Sequence, residues 1–293
     1  MNIAIFTLSL NKGGTERVIT NLCNQYLIKK HNVTIITCIK ASPQYPLDGK
    51  IQHLCIDHHE EEKEQNKIAR FIRRRKGLKR ILDMLSIAIM LNFLPEPSFL
   101  ALSLKKQYSF PMIVSVRSYP TMEYGFLPYH LMMRLLYPRA EGLIMQTEEA
   151  KKYFSKGIQK KAVIIPNPIN MEAVRKPYEG KRREEIVAVG RLTEEKNYPM
   201  LIHTYQKVSR QFPNYELLIY GEGKLRGELE KLIKKLGLRD KVVLVGQKDD
   251  IYDRIYGSSL YVMTSDHEGM PNALMEAMAL GLPVISTDCP CGG

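Results

Sequence analysis

The sequence predicts an α/β protein of two domains, each built on a parallel sheet with helices on both faces. Three observations predict it. Apolar runs of strand length alternate with amphipathic stretches along the 293 residues. The runs are continuous rather than alternating, as strands buried on both faces are. The pattern is interrupted once, at Ile165-Pro166-Asn167-Pro168-Ile169-Asn170, and then restarts. Two prolines and two asparagines ahead of a charged, irregular stretch mark a domain boundary. The expected domains are therefore residues 1–168 and 169–293.

In the first domain the candidate strands are residues 2–8, 33–38, 51–56, 87–93, 112–116, 142–146 and 162–165. In the second they are 186–189, 216–220, 242–245, 260–263 and 283–286. Helical spacing fills 16–29, 197–211 and 224–236. The most apolar stretch, 81–104, is broken by Asp83, Asn92, Pro95, Glu96 and Pro97. No segment approaches the roughly 20 apolar residues of a membrane span. The N-terminus, Met1-Asn2-Ile3-Ala4-Ile5-Phe6, lacks the basic flank and apolar length of a signal peptide.

A composition of 44% hydrophobic and 25% charged residues is ordinary for a soluble globular protein. The charge is not evenly spread. The whole excess of 43 Lys and Arg over 31 Asp and Glu lies in residues 1–168, which hold 25 basic and 13 acidic residues; residues 169–293 hold 18 of each. Such a surface suits phosphate-bearing partners, an anionic lipid or a phosphorylated acceptor among them. Nucleic acid is not expected, because no aromatic-rich basic platform accompanies the charge. Cys23, Cys38, Cys55, Cys289 and Cys291 are odd in number and form no framework, which fits a reducing cytosol. Cys289-Pro290-Cys291 is not a C-x-x-C pair and reads as structural.

Two charged stretches carry metal- or lipid-like chemistry on paper. Asp57-His58-His59-Glu60-Glu61-Glu62 has ligand residue types but nothing to fix a geometry, so a solvated loop is expected. Residues 67–76, Lys67-Ile68-Ala69-Arg70-Phe71-Ile72-Arg73-Arg74-Arg75-Lys76, mix apolar and basic residues at helical spacing. They predict a helix over the sheet with a basic outer face, compatible with peripheral contact with an anionic membrane.

Four motifs carry the chemistry. Gly13-Gly14-Thr15-Glu16-Arg17 follows the first strand and opens a helix; two glycines allow a sharp turn and a close backbone approach to a ligand. It is not a G-x-G-x-x-G, so a nicotinamide enzyme is not indicated. Gly190-Arg191-Leu192-Thr193-Glu194-Glu195-Lys196-Asn197 follows the first strand of the second domain. Ligands of open α/β sheets bind at that carboxyl edge. Arg191 and Lys196 can neutralise a departing diphosphate without a metal. Tyr220-Gly221-Glu222-Gly223 ends another strand and fits either a turn near a nucleotide or a tight turn.

The last motif is Glu268-Gly269-Met270-Pro271-Asn272-Ala273-Leu274-Met275-Glu276. Pro271 is tolerated only in a first helical turn, so a helix begins about there. Glu268 then precedes the helix and Glu276 lies inside it. One carboxylate suits sugar hydroxyls and the other suits ribose hydroxyls. The N–H groups of the helix start suit phosphate. No D-x-D ends a first-domain strand, and no metal or cofactor is expected.

On Gly190–Lys196, on Glu268-Gly269-Met270-Pro271-Asn272 through Glu276 to Asp288, and on Gly13-Gly14, the sequence resembles family 4 of the retaining glycosyltransferases. The resemblance implies a GT-B fold of two Rossmann-like domains with parallel sheets facing across a cleft. It implies that Arg191 and Lys196 grip the donor diphosphate and that Glu268 binds the sugar beside the reacting carbon. The backbone amides from Gly269 through Met270 and Pro271 to Asn272 would hold the sugar and phosphates, and Glu276 would bind ribose. Gly13 and Gly14 would approach the diphosphate from the first domain. Many members carry a His after the fifth strand; Arg117 stands in that neighbourhood and is a candidate. The implied reaction transfers a hexose or N-acetylhexosamine, with retention, from a nucleotide-sugar, usually UDP-linked. The acceptor would be a glycan or lipid-linked, in surface polysaccharide biosynthesis, at a cytoplasmic or inner-membrane-face location. Family members continue beyond Gly293, so the resemblance implies an incomplete second domain. A UDP-sugar epimerase of similar fold and a non-catalytic binding subunit are the alternatives.

Overall fold

All twelve apolar runs form strands, and every strand pair is parallel. The computed structural model describes residues 1–11, 13–40, 45–57 and 66–291. Lys12 of the glycine loop and the His58 to Glu62 run lie outside the described residues. The chain divides into two units, Met1–Asn167 and Pro168–Gly293.

The N-terminal unit holds β1 (Asn2–Thr7), β2 (Asn32–Ile39), β3 (Gln52–Asp57), β4 (Ile89–Phe93), β5 (Met112–Ser115), β6 (Gly142–Met145) and β7 (Ala162–Ile164). Their order is β3-β2-β1-β4-β5-β6-β7. One face packs α1 (Gly14–Ile28) through Ile19 and Cys23 onto Ile5, Ile35 and Leu91. The other packs α2 (Lys67–Met84), α3 (Pro95–Leu104) and α5 (Leu127–Leu136) through Leu78, Leu100 and Met133 onto Phe6, Met90 and Val114. The short helix α4 (Pro120–Tyr124) joins this layer, and α6 (Glu148–Lys152) and α7 (Lys156–Gln159) complete the unit. Burial on both faces explains why the strands read as unbroken apolar runs.

The broken apolar stretch 81–104 is resolved by these elements. It contains the end of α2, all of β4, and α3, whose N1 position is Pro95, where a missing N–H costs nothing. The helix predicted from the basic run exists as α2, capped by the Asn66 side chain, which accepts from the amides of Ile68 and Ala69. Its charge is not all on the outer face, however. Arg74 is buried and donates to Glu96 at 2.6 Å.

The C-terminal unit holds β8 (Arg183–Val189), β9 (Glu216–Tyr220), β10 (Val242–Gly246), β11 (Ser258–Met263) and β12 (Val284–Ser286), ordered β10-β9-β8-β11-β12. Helices α8 (Tyr198–Val208) and α9 (Arg226–Lys235) cover one face through Leu201, Ile202, Leu229 and Ile233. Helices α10 (Ile251–Ile255) and α11 (Asn272–Ala279) cover the other through Ile255, Leu274 and Ala277. In each sheet consecutive crossovers reverse direction at one place, between β1 and β4 and between β8 and β11. Open α/β sheets bind ligands in the crevice at such a point, outside the carboxyl ends of the strands.

Candidate functional site

The switch point of the C-terminal sheet brings together the two predicted residues with the most complementary charges. Lys196 leaves the loop after β8 and Glu268 leaves the loop after β11, 72 residues on. The lysine Nζ lies 2.5 Å from Glu268 Oε1, and the two side chains are only 19% and 13% exposed. Ser265 Oγ donates to the same oxygen at 2.6 Å. One carboxylate oxygen is thus held by two donors, and among the described residues Oε2 has no hydrogen-bond partner to compete for a ligand hydroxyl.

The surrounding loops are locked. Thr264 Oγ1 donates to the Lys196 carbonyl at 2.9 Å, and Thr287 Oγ1 donates to the Ser265 carbonyl at 2.7 Å. Asn197 takes the left-handed conformation, φ 47°, and its side chain donates to Asp266 at 2.8 Å. The same side chain caps α8 by accepting from the Met200 amide. The Asp266 amide in turn donates to the Glu195 carbonyl at 2.9 Å. Each of these bonds joins the β8 loop to the β11 loop or braces one of them.

Gly190 has a clear local cause. A Cβ there would lie 2.9 Å from the Tyr198 hydroxyl and 3.2 Å from Lys196 Cε. A side chain at 190 would therefore displace the lysine. Burial first, and then the charges of Glu268 and Glu195, raise the pKa of Tyr198, so its phenol stays protonated beside the ion pair. Gly221 and Gly223 pack on the same loop. Gly221 has φ 139°, and a Cβ on it would come 1.9 Å from the Gly190 carbonyl oxygen. The Leu192 amide donates to the Glu222 carbonyl at 3.0 Å. The G-x-G motif is thus explained by a close loop-to-loop approach.

Helix α11 starts at Asn272, one residue after Pro271, and the Met275 amide closes its first turn on the Pro271 carbonyl. Gly269 and Met270 link Glu268 to this start, where the positive end of the helix dipole lies. Glu276 is on the second turn and is buried, close enough to the enclosed Tyr261 ring for its charge to act on that phenol.

Arg191 is not drawn into the pair. It is 69% exposed and bonds Glu195 at 3.2 Å, four residues on. Burial pushes Glu195 up, but the Thr193 hydroxyl, a backbone amide, Arg191 and Lys196 outweigh it and hold its carboxyl below the usual range. Cys289 sits buried behind the site, its thiol pushed up by burial and by Glu268. The Glu268 amide donates to the Pro290 carbonyl at 3.3 Å, so the Cys289-Pro290-Cys291 loop braces the β11 loop.

The remaining predicted residues belong to the N-terminal unit. Gly13 is the extended residue before α1, φ −167°, and Gly14 is the first residue of that helix. Neither shows a positive φ, so the expected sharp turn does not use glycine's left-handed freedom. Arg117 follows β5 and donates to Asn167. Burial pulls its guanidinium down to about 10, which leaves it charged at neutral pH.

Residues 12–173 match Glycosyltransferase Family 4, more than half of the 293 residues. The chain belongs to glycosyltransferase family 4. Residues 170–293 match the glycosyl transferases group 1. The amylovoran biosynthesis glycosyltransferase AmsD of Erwinia amylovora is 28% identical over 96% of this chain and 79% of its own length. A Campylobacter jejuni N-acetylgalactosamine-N,N'-diacetylbacillosaminyl-diphospho-undecaprenol 4-alpha-N-acetylgalactosaminyltransferase is 28% identical over 99% of this chain and 81% of its own. The uncharacterized glycosyltransferase MJ1059 of Methanocaldococcus jannaschii is 35% identical over 55% of this chain, and the match spans 43% of that relative.

Two solved structures share the architecture. Sucrose-phosphate synthase from Thermosynechococcus elongatus has a TM-score of 0.80 at 17% identity, covering 98% of this chain and 81% of its own. Anabaena Alr3699/HepE in complex with UDP and glucose has a TM-score of 0.79 at 13% identity, covering 99% and 82%. The fold of the family member is therefore that of the GT-B glycosyltransferases, with two Rossmann-like domains.

Sequence reasoning missed Ser265, Tyr198 and the Asn197–Asp266 bond. Ser265 carried a signal, since a hydroxyl three residues before a loop carboxylate can reach it. The partnership of Asn197 with Asp266, 69 residues away, had none.

Proposed function

We propose that the protein is a retaining, metal-independent glycosyltransferase. It moves a hexose or N-acetylhexosamine from a UDP-linked donor to a glycan or lipid-linked acceptor in surface polysaccharide biosynthesis. The observation that carries the proposal is the Lys196–Glu268 pair at 2.5 Å, set at the sheet's switch point beside the start of α11. A cation held against a helix start suits a diphosphate, and a carboxylate with one oxygen open suits sugar hydroxyls.

In this reading Lys196 turns part of its charge from Glu268 to the diphosphate, and Arg191 swings from Glu195 to the same group. Amides of Gly269, Met270, Pro271's neighbour Asn272 and the α11 dipole share the phosphate load. Glu276 takes the ribose hydroxyls. The acceptor hydroxyl attacks the anomeric carbon on the face that the diphosphate leaves. A glycosidic C–O bond forms, the C–O bond to phosphate breaks, and the acceptor proton leaves on the diphosphate oxygen. Lys196 and Arg191 stabilise the charge that grows on that oxygen. Glu268 orients the sugar through its hydroxyls and forms no covalent bond with it. Gly13, Gly14 and Arg117 serve the N-terminal domain's share of donor and acceptor binding. The supporting relatives include one named for a diphospho-undecaprenol-linked acceptor. A lipid-linked acceptor would place the work at the inner face of the plasma membrane.

The test is nucleotide release from a panel of UDP- and GDP-sugars with a lipid-linked acceptor, with and without chelator. Release from one UDP-sugar, unchanged by chelator and lost in Lys196→Ala and Glu268→Ala, is expected. Turnover of the donor to an isomer without acceptor would establish an epimerase instead. Full activity in both variants would discard the site.

A further inference from the structure

At the carboxyl edge of the N-terminal sheet, the loop after β5 and the short helix α4 hold a carboxyl that the fold leaves unmet. Glu123 Oε2 and Ser118 Oγ are both enclosed, and neither has a hydrogen-bond partner among the described residues. Glu123 as a whole is partly exposed, so the hidden oxygen lies just below the surface. Burial pushes its carboxyl up, while the Ser118 and Tyr124 hydroxyls pull against that rise, which sets the three groups side by side. A buried acceptor without a partner costs stability, more so when charged, and an apolar side chain of that shape would restore it. A polar group kept at such a cost points to a ligand that meets it.

The neighbours of Glu123 are fixed by the core. Tyr124 is fully buried, and its hydroxyl lies 2.7 Å from that of Tyr137. Helix α5 turns Leu127, Leu131 and Leu135 to solvent and Tyr129 and Met133 inward, with Tyr129 edge-on to Phe99 at 5.5 Å between ring centroids. Burial first, and then the charges of Glu96, Arg70, Arg74 and Glu123, act on the Tyr129 phenol and on balance raise its pKa. Side chains from α2, α3 and α4 therefore gather around one ring. Of the two carboxyls, Glu96 is spent on Arg74 at 2.6 Å, while among the described residues Glu123 pairs with no cation.

We propose that Glu123 and Ser118 read the acceptor by binding a sugar hydroxyl other than the one that attacks. Glu123 Oε2 accepts from that hydroxyl in a charge-assisted bond, Ser118 Oγ bonds its neighbour on the sugar ring, and Tyr129 gives the C–H side of the sugar an aromatic flank. Charge decides the occupant. Arg70 and Arg74 stand close by, and residues 1–168 carry the whole excess of +12, which turns away a cationic ligand. A neutral ring rich in hydroxyls suits a lone carboxylate beside a serine. The inference rests on the glycosyltransferase reading above and adds to it which residues select the acceptor.

The experiment uses the full chain and a panel of 4-nitrophenyl hexosides and N-acetylhexosaminides as acceptors. It reads UDP release from UDP-sugars and, without donor, glycoside binding by saturation-transfer NMR. For the glycoside that best stimulates release, Glu123→Gln is expected to raise the acceptor KM about tenfold, with kcat and the donor KM nearly unchanged. Ser118→Ala should raise it about threefold. The NMR signal should fall in step with KM in both variants. The unfolding midpoint of Glu123→Gln at neutral pH should not drop, because an amide replaces a carboxyl whose charge burial disfavours. An unchanged acceptor KM, or a donor KM that rises as much, would overturn the proposal. So would a lowered midpoint with kcat lost, which marks a structural side chain. Glycoside binding that Glu123→Gln abolishes, with no UDP-sugar turned over by the wild type, would leave the subsite standing and discard the transferase reading. Glycoside binding that is absent, or equal in wild type and variant, would discard the subsite whatever the turnover.

Discussion

The carboxyl edges of the two sheets are built from the same kind of turn and finish in opposite ways. At the C-terminal edge the polar side chains are tied to one another: Lys196 and Ser265 on Glu268, Thr287 on Ser265, Thr264 on Lys196, Asn197 on Asp266. At the N-terminal edge several buried polar atoms have no hydrogen-bond partner among the described residues. They are Thr7 Oγ1 at the end of β1, Asn92 Oδ1 on β4, Ser115 Oγ at the end of β5 and Gln146 Oε1 just past β6. A buried polar atom left unmet costs about 1–3 kcal/mol. The comparison teaches that one edge is held rigid by its own network, while the other keeps polar capacity the fold does not consume. A rigid edge suits the invariant part of a reaction, the nucleotide diphosphate. The second suits an acceptor presenting hydroxyls, in line with the proposed division of labour.

The comparison can be broken or sharpened in four ways, the largest effect first. Lys196→Ala or Glu268→Gln should lower the steady-state rate of nucleotide release by about 10²–10³, as loss of a fixed transition-state contact does. The double variant should fall little further than the worse single one, because the pair acts as a unit. Near-additive losses in that cycle would mean the two side chains work apart.

Next comes backbone. Gly221→Ala must accept φ 139° and a Cβ 1.9 Å from the Gly190 oxygen, and should cost about 3 kcal/mol or more in urea unfolding. Gly13→Ala, at an extended φ of −167° and facing only the flexible Glu16 side chain, should stay within about 1 kcal/mol. Similar costs at both would contradict the contrast drawn between the two loops.

Ser265→Ala removes one of the two donors on Glu268 Oε1. It should cost about 1 kcal/mol of stability and about tenfold in kcat with KM nearly unchanged, since the hydroxyl positions a carboxylate and does not touch substrate. A purely structural serine would lower the unfolding midpoint and leave kcat alone. Thr7→Val has the smallest effect and the opposite sign. It replaces an unmet hydroxyl by a methyl of similar shape and should stabilise the protein by up to about 1 kcal/mol. Destabilisation by this change would show that the hydroxyl is satisfied in the native state.

The sheets were legible in the sequence for a physical reason. Strands buried on both faces must be apolar throughout, and their turns must carry Gly, Pro or Asn, so runs such as 112–116 and 216–220 announce themselves. Glu268 and Lys196 were legible because their loops sit at strand ends next to helix starts. What was not legible depends on contacts between distant parts of the chain. The burial of Arg74 follows from Glu96, 22 residues on, and nothing in the basic run distinguishes it from Arg73. The exposed row on α5 has the same spacing that would mark a core face, so only the packing of Tyr129 and Met133 reveals which side is inward. Arg191 looked equivalent to Lys196 as a cation on one loop, yet only Lys196 is folded back onto Glu268.

The most direct test of the account is a solved complex of the full chain with UDP or a UDP-sugar. The account predicts the diphosphate between Lys196 Nζ and the start of α11, with Glu268 facing the sugar and Glu276 the ribose. Nucleotide bound away from the β8 and β11 loops, with the Lys196–Glu268 pair left as it is, would contradict it.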